Sequence, residues 1–208
     1  MIKPEEESEL EKINSSLEKS GWYVKENFLA DDQCDLLCRN FVDNDNKKLF
    51  SKSKIGRGYR KDEDGSIRNA LVRWIDDWEE GPSESLRLEL ERMMKSLSAY
   101  FRLSLKRFES QFSIYNKGGF YHRHLDQHKQ TRHRQVSSCL YLNDCPVGGE
   151  LVLYKKGTQS EVSKVIKPKK GTFVVFISGD IYHEVKLVES PRYSISTWFR
   201  DDEILPFV

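Results

Sequence analysis

Several things are scarce in this chain, and each scarcity narrows what it can be. Net charge is nearly absent. The 34 lysines and arginines are set against 33 aspartates and glutamates, leaving a formal +1 over 208 residues. No global field therefore argues for nucleic acid as a partner. No apolar run approaches the length of a bilayer span, and "MIKPEEESELEK" lacks the basic-then-apolar pattern of a secretory signal, so neither membrane insertion nor export is expected. Four scattered cysteines are too few for a disulfide framework, which favours a reducing, cytoplasmic setting. Cys34 and Cys38 stand at i and i+4 in "DDQCDLLCRNF". With no third ligand nearby, they read as buried thiols on a helix face rather than metal ligands. Internal repeats, low-complexity tracts and a second domain boundary are also missing.

What is present falls into two halves. "PEEESELEKINSSLEKS" predicts a helix with Gly21 as its C-cap, and "WYVKENFL" a short strand. "ADDQCDLLCRNFVDN" predicts a second helix. Residues 43–68, polar around "IGRGYRKDEDGS", read as a long mobile loop, and "ALVRWID" as a strand. After Gly81 and Pro82, "SESLRLELERMMKSLSAYF" is the strongest helix, its leucines, methionines and aromatics spaced to pack on a sheet. From residue 106 onward there are eight short strand candidates: "RFESQFSIYN", "GFYHRHL", "QVSSCLYLN", "GELVLYK", "SEVSKVIK", "GTFVVFIS", "YHEVKLV" and "RYSISTWFR". Short strands at regular spacing predict a mainly-β sandwich or jelly roll. The expectation is one domain over 1–208, with a helical part (1–105) buttressing one face of a β core (106–200).

Chemistry concentrates in "YHRHLDQHKQTRHR", which holds His122, His124, His128 and His133; the fifth histidine, His183, lies far downstream. On a regular strand His122 and His124 point the same way. His124-x-Asp126 can direct an imidazole and a carboxylate to one point, and His183 is the one histidine outside the cluster. Two histidines and a carboxylate with open positions form the facial triad suited to non-haem Fe(II) and O₂. A lone His-x-Asp is more often a surface pair, and a histidine tract can bind metal adventitiously. Arg192 raises the odds. It follows His183 by nine residues and shares a strand face with Ser194, so the two can take a carboxylate through a guanidinium fork plus a hydroxyl.

With these residues in view, the chain resembles the 2-oxoglutarate- and Fe(II)-dependent dioxygenases, in the peptidyl prolyl 4-hydroxylase branch of oxygen-sensing enzymes and their bacterial relatives. The resemblance runs from "GWYVKENFL" to "STWFR" and implies a double-stranded β-helix core with N-terminal helices packed on it. It makes His124, Asp126 and His183 the metal ligands, with no separate catalytic acid or base beyond the metal centre. Arg192 and Tyr141 would hold the side-chain carboxylate of 2-oxoglutarate, with Tyr115 a further residue of that pocket. Tyr121, Arg134 and Trp198 match residues lining the prolyl pocket. "IRNALVRWID" matches the strand closing a mobile loop over a peptide, which places Arg68 and Trp74 near substrate. The branch often has an aspartate where this chain has Ala70, which leaves substrate identity open. His122, His128 and His133 have no ligand counterpart.

The implied cofactors are Fe(II), 2-oxoglutarate as co-substrate and O₂, with ascorbate as a stimulant. The implied partner is a protein or peptide containing proline. The expected reaction is hydroxylation of an intracellular protein with release of succinate and CO₂. Halogenating relatives lose the carboxylate that Asp126 supplies here, so hydroxylation is the expected outcome. A small-molecule hydroxylase, acting on a free amino acid or a natural-product intermediate, is the alternative. A non-catalytic binding module on the same fold fits the intact triad poorly.

Overall fold

The computed structural model describes residues 4–42, 49–52, 67–76, 78, 82–127 and 130–203. Helix α1 (Pro4–Ser20) ends where the sequence predicts. Gly21 takes a φ of +82°, and a Cβ there would stand 2.7 Å from Ile181, so this cap needs glycine twice over. Strand β1 (Trp22–Lys25) follows. Helix α2 (Asp31–Val42) opens on two aspartates that suit the positive end of its dipole. Strands β2 (Ser51–Lys52), β3 (Arg68–Asn69) and β4 (Leu71–Ile75) precede helix α3 (Pro82–Phe101). Of the loop expected over 43–68, residues 43–48 and 53–66 lie outside the described residues, while Ser51–Lys52 form β2 and Arg68 opens β3 instead of continuing a loop.

All eight strands expected after residue 106 are present: β5 (Arg107–Tyr115), β6 (Phe120–His124), β7 (Arg134–Tyr141), β8 (Leu151–Tyr154), β9 (Val162–Ile166), β10 (Phe173–Ile177), β11 (His183–Val185) and β12 (Arg192–Arg200). They divide four and four between two sheets, as a jelly roll requires. The larger sheet runs β1-β10-β7-β12-β5-β4-β2 and the smaller β3-β6-β11-β8-β9. The pairings within both sheets are antiparallel.

Alternation along the large sheet sorts its side chains into two compartments. Phe112, Ile114, Leu140, Phe173, Val175, Ile195 and Phe199 face the helices and pack with Leu37, Leu90 and Leu97. The opposite face looks toward the small sheet, where Tyr115, Tyr141, Val174 and Phe176 meet Leu151, Leu153 and Val185. Cys34 is buried on α2, Cys38 is half-buried, and both thiols are free. The helices thus cover one face of the sheet and leave the other to the chemistry.

Candidate active site

Between the sheets, β5 and β12 carry polar residues at every second position. Glu109, Gln111, Ser113 and Tyr115 alternate with Phe108, Phe112 and Ile114. Arg192, Ser194 and Trp198 alternate with Tyr193, Ile195 and Phe199. A buried polar stripe is costly unless its groups are partnered or await a ligand.

His124 and His183 face each other across β6 and β11 as direct register partners. Asp126 Oδ1 lies 3.4 Å from His124 Nε2, and its Oδ2 lies 3.5 Å from His183 Nε2. One ligand atom from each of the three falls within 4.8 Å of the others. Each imidazole is oriented from behind. His124 Nδ1 is 2.8 Å from the His122 carbonyl and His183 Nδ1 is 3.1 Å from the Ile181 carbonyl. A carbonyl can only accept, so both Nδ1 atoms carry the proton and both Nε2 lone pairs turn to the common point. His124 Nε2 is buried, and among the described residues only the Asp126 carboxylate stands near it.

Protonation suits the same purpose. Burial, aided by the neighbouring His124, pushes the His183 pKa down to about 4, so the ring is neutral at neutral pH. Burial by itself would raise Asp126, but His183, His124 and Arg134 hold its carboxyl well below the usual range. Two imidazoles whose Nε2 atoms converge on one ionised carboxylate are the donor set of a divalent metal with open positions, and the three residues fit Fe(II).

One expectation about this strand needs correcting. His122 and His124 do not share a side. Between the pairs His183↔His124 and Val185↔Tyr121 the register shifts, so three steps on β6 match two on β11. This bulge breaks the alternation. Tyr121 and His124 both turn inward, with ring centroids 3.6 Å apart, while His122 stays exposed against Phe120. His133 binds Asp201 at 2.9 Å on the rim. His128 lies outside the described residues.

The residues that the resemblance assigns to the co-substrate lie close together. Arg192 is only 2% exposed and donates from Nη1 to Ser194 Oγ at 3.0 Å. Its guanidinium stands 5.0 Å from the Tyr115 ring centroid and 4.8 Å from that of Tyr141. Gly149, at φ +71°, makes room for it, because a Cβ there would lie 3.2 Å from Arg192 Cδ. No carboxylate pairs with Arg192 among the described residues. Among the described residues, Arg192 Nε and the Tyr141 hydroxyl are both buried with no hydrogen bond of good geometry. Burial also keeps the Tyr141 phenol neutral, with its pKa raised, so it remains a donor. A dry cation flanked by idle donors fits a carboxylate such as the far end of 2-oxoglutarate.

The residues expected at the substrate side are also brought together. Arg134 stacks 3.9 Å over Trp198, and Trp198 meets Trp74 at 5.7 Å. Arg68 is turned into the cleft. It donates to Tyr115 Oη (3.2 Å), Gln111 Oε1 (3.1 Å) and Ser113 Oγ (3.0 Å), and lies over the Tyr121 ring. Sequence reasoning missed Glu109, Gln111, Ser113 and Cys139. The period-two polar stripe of "RFESQFSIY" was the available signal for the first three. Cys139 Sγ, 3.8 Å from Arg192 Nη2, had none.

A family model described as "2OG-Fe(II) oxygenase superfamily" matches residues 110–200, the span that contains every one of these ligands. Over that span the chain is similar to that superfamily. Its likeness is to the prolyl 4-hydroxylase branch. It is 25% identical over 205 residues to a hypoxia-inducible factor prolyl hydroxylase of Caenorhabditis elegans, covering 92% of this chain but only 28% of that protein. A Pseudomonas putida prolyl-4-hydroxylase superposes with a TM-score of 0.80 at 27% identity, over 93% of this chain and all of the other. A Trichoplax adhaerens prolyl hydroxylase, solved with a hypoxia-inducible factor oxygen degradation domain peptide fragment, shares the fold. Its TM-score is 0.78 at 22% identity, over 95% of this chain and 91% of that one.

Proposed function

We propose that this chain is a 2-oxoglutarate-dependent oxygenase that hydroxylates a prolyl residue of an intracellular protein, using Fe(II) held by His124, Asp126 and His183. The observation that carries the reading is the wall beside the triad. Tyr121 stacks on a metal ligand, and the Trp74–Trp198–Arg134 stack stands opposite on the large sheet. Flat rings with a few polar edges suit a pyrrolidine ring within an extended chain. The likeness to prolyl hydroxylases over the whole length of the Pseudomonas chain supports it.

When bound, Fe(II) and 2-oxoglutarate supply the oxidation: O₂ gives one oxygen to the succinate formed as CO₂ leaves and the other to a substrate C–H bond. The protein positions the parts. Arg192, Ser194 and Tyr141 would grip the far carboxylate of 2-oxoglutarate, with Tyr115 beside them. Tyr121 and Arg68 close the side of the cleft against bulk water.

The test is a mass-spectrometric search of cell extract incubated with enzyme, Fe(II), ascorbate and 2-oxoglutarate. Prolyl peptides gaining one oxygen support the reading. If only free amino acids or other small molecules stimulate succinate formation, the small-molecule hydroxylase takes its place.

A further inference from the structure

Glu109 is 7% exposed on β5 and faces the cleft, yet nothing in the triad or the co-substrate grip uses it. One of its oxygens, Oε1, accepts from Arg134 Nε at 2.9 Å, Arg134 Nη2 at 2.6 Å and Arg200 Nη1 at 3.0 Å. Its Oε2 lies 3.8 Å from Arg107. Trp198 is its direct cross-strand partner, and Arg134 lies flat on the Trp198 ring. The Trp198 indole N–H is buried with no acceptor among the described residues, so this edge of the wall still has a hydrogen bond to offer.

An arginine at the mouth of a cleft ordinarily samples many rotamers and presents a free charge. Here two of its donors converge on a single carboxylate oxygen while its plane is held on an aromatic ring. The grip removes the rotamer freedom and offsets the charge. We propose that Glu109 is a positioning residue for specificity: it clamps Arg134 onto Trp198, so the substrate meets a flat, charge-compensated wall instead of a free cation. This rests on the cleft being the substrate site. It deepens that reading by stating which substrates fit: a ring flanked by neutral residues, gaining no ion pair from an acidic neighbour.

Tryptophan fluorescence on the full chain, without metal or substrate, tests the clamp directly. Trp198→Phe identifies the Trp198 share of the emission. Glu109→Gln is expected to make that share about twofold more accessible to acrylamide, because the guanidinium no longer covers the ring. Asp202→Asn is the control. It loosens Arg200 and Arg107, which Asp202 binds at 2.8–3.1 Å, but leaves the Arg134–Glu109 bonds in place. It should quench like the wild type. If Glu109→Gln does not fold, Arg134→Lys carries the same test, since lysine keeps the charge but loses the fork and the stack.

An unchanged Trp198 signal in Glu109→Gln (or in Arg134→Lys where that variant stands in) would make Glu109 a mere brace. An equal change in Asp202→Asn would do the same. A prolyl peptide substrate adds a second readout. Glu109→Gln should raise its KM roughly tenfold with little change in kcat, the size expected for one charge-assisted contact. It should also narrow the preference for neutral over acidic residues beside the proline. If the fluorescence responds as expected but no prolyl peptide is oxidised, the prolyl reading fails and the clamp stands.

Discussion

Arg192 carries a permanent charge into the interior, and its nearest companions there are two tyrosine rings, a serine and a thiol. Such a cation is worth its desolvation only when a carboxylate arrives. Truncating one member of a buried charged pair costs about 2–5 kcal/mol. Arg192→Leu should therefore weaken 2-oxoglutarate binding by roughly two orders of magnitude or more by isothermal titration. Lys186 is no substitute, since it is half-exposed and bound to Glu184 at 2.7 Å. Tyr141→Phe removes one hydroxyl donor and should cost only about 1 kcal/mol, a several-fold loss. At the triad, His124→Ala and His183→Ala should abolish binding of Mn(II), a redox-inert probe of the site. His133→Ala should leave it intact, because that ring is spent on Asp201 at the rim. Retained Mn(II) binding in His124→Ala would overturn the ligand assignment.

Elements explain how these residues meet. The bulge in β6 brings Tyr121 and His124 to one side of a strand that would otherwise separate them. The large sheet keeps its shape because α3 lies against it through Leu86, Leu90, Met93 and Leu97, each 2% exposed or less. Leu97→Ala should lower unfolding stability by about 2–5 kcal/mol in urea, while Mn(II) affinity of the folded protein stays unchanged, since the ligands lie on the other sheet. The end of β12 is tied down by Asp202. Arg200 is the main cause holding the Asp202 carboxyl below its ordinary pKa; partial burial opposes this and Arg107 adds to it. A lowered folded-state pKa means this stabilisation is complete above the unfolded value of about 4 and is lost as pH falls below it. Asp202→Asn should thus flatten the acid side of a melting-temperature profile, with little effect on the slope above pH 6.

On the scale of the whole molecule, the two sheets would hold different parts of the proposed reaction. The metal ligands belong to the small sheet's side of the cleft, and the carboxylate grip belongs to the large sheet. Ligands that bind only the folded chain stabilise it by mass action. Each at about 100 times its Kd adds about 2.7 kcal/mol, roughly 5–10 °C for a chain this size. Mn(II) and then 2-oxoglutarate should raise the melting temperature in two steps. Arg192→Leu should erase the second step alone, and His183→Ala the first.

By itself the sequence determined the eight β-core strands and the three helices, and it pointed to the candidate triad and the Arg192–Ser194 pair. These depend on local periodicity and on residue types with few other uses at such spacing. His-x-Asp with a distant histidine, and arginine two residues before serine on one strand, are legible without coordinates. The tertiary structure alone decided which way Tyr121 and His122 turn, because a bulge depends on the partner strand and leaves no mark in local alternation. It alone brought Arg68 onto Gln111 and Ser113, and Glu109 onto Arg134, across 43–45 and 25 residues of chain. Such pairings come from sheet register, which forms only when distant strands close on one another.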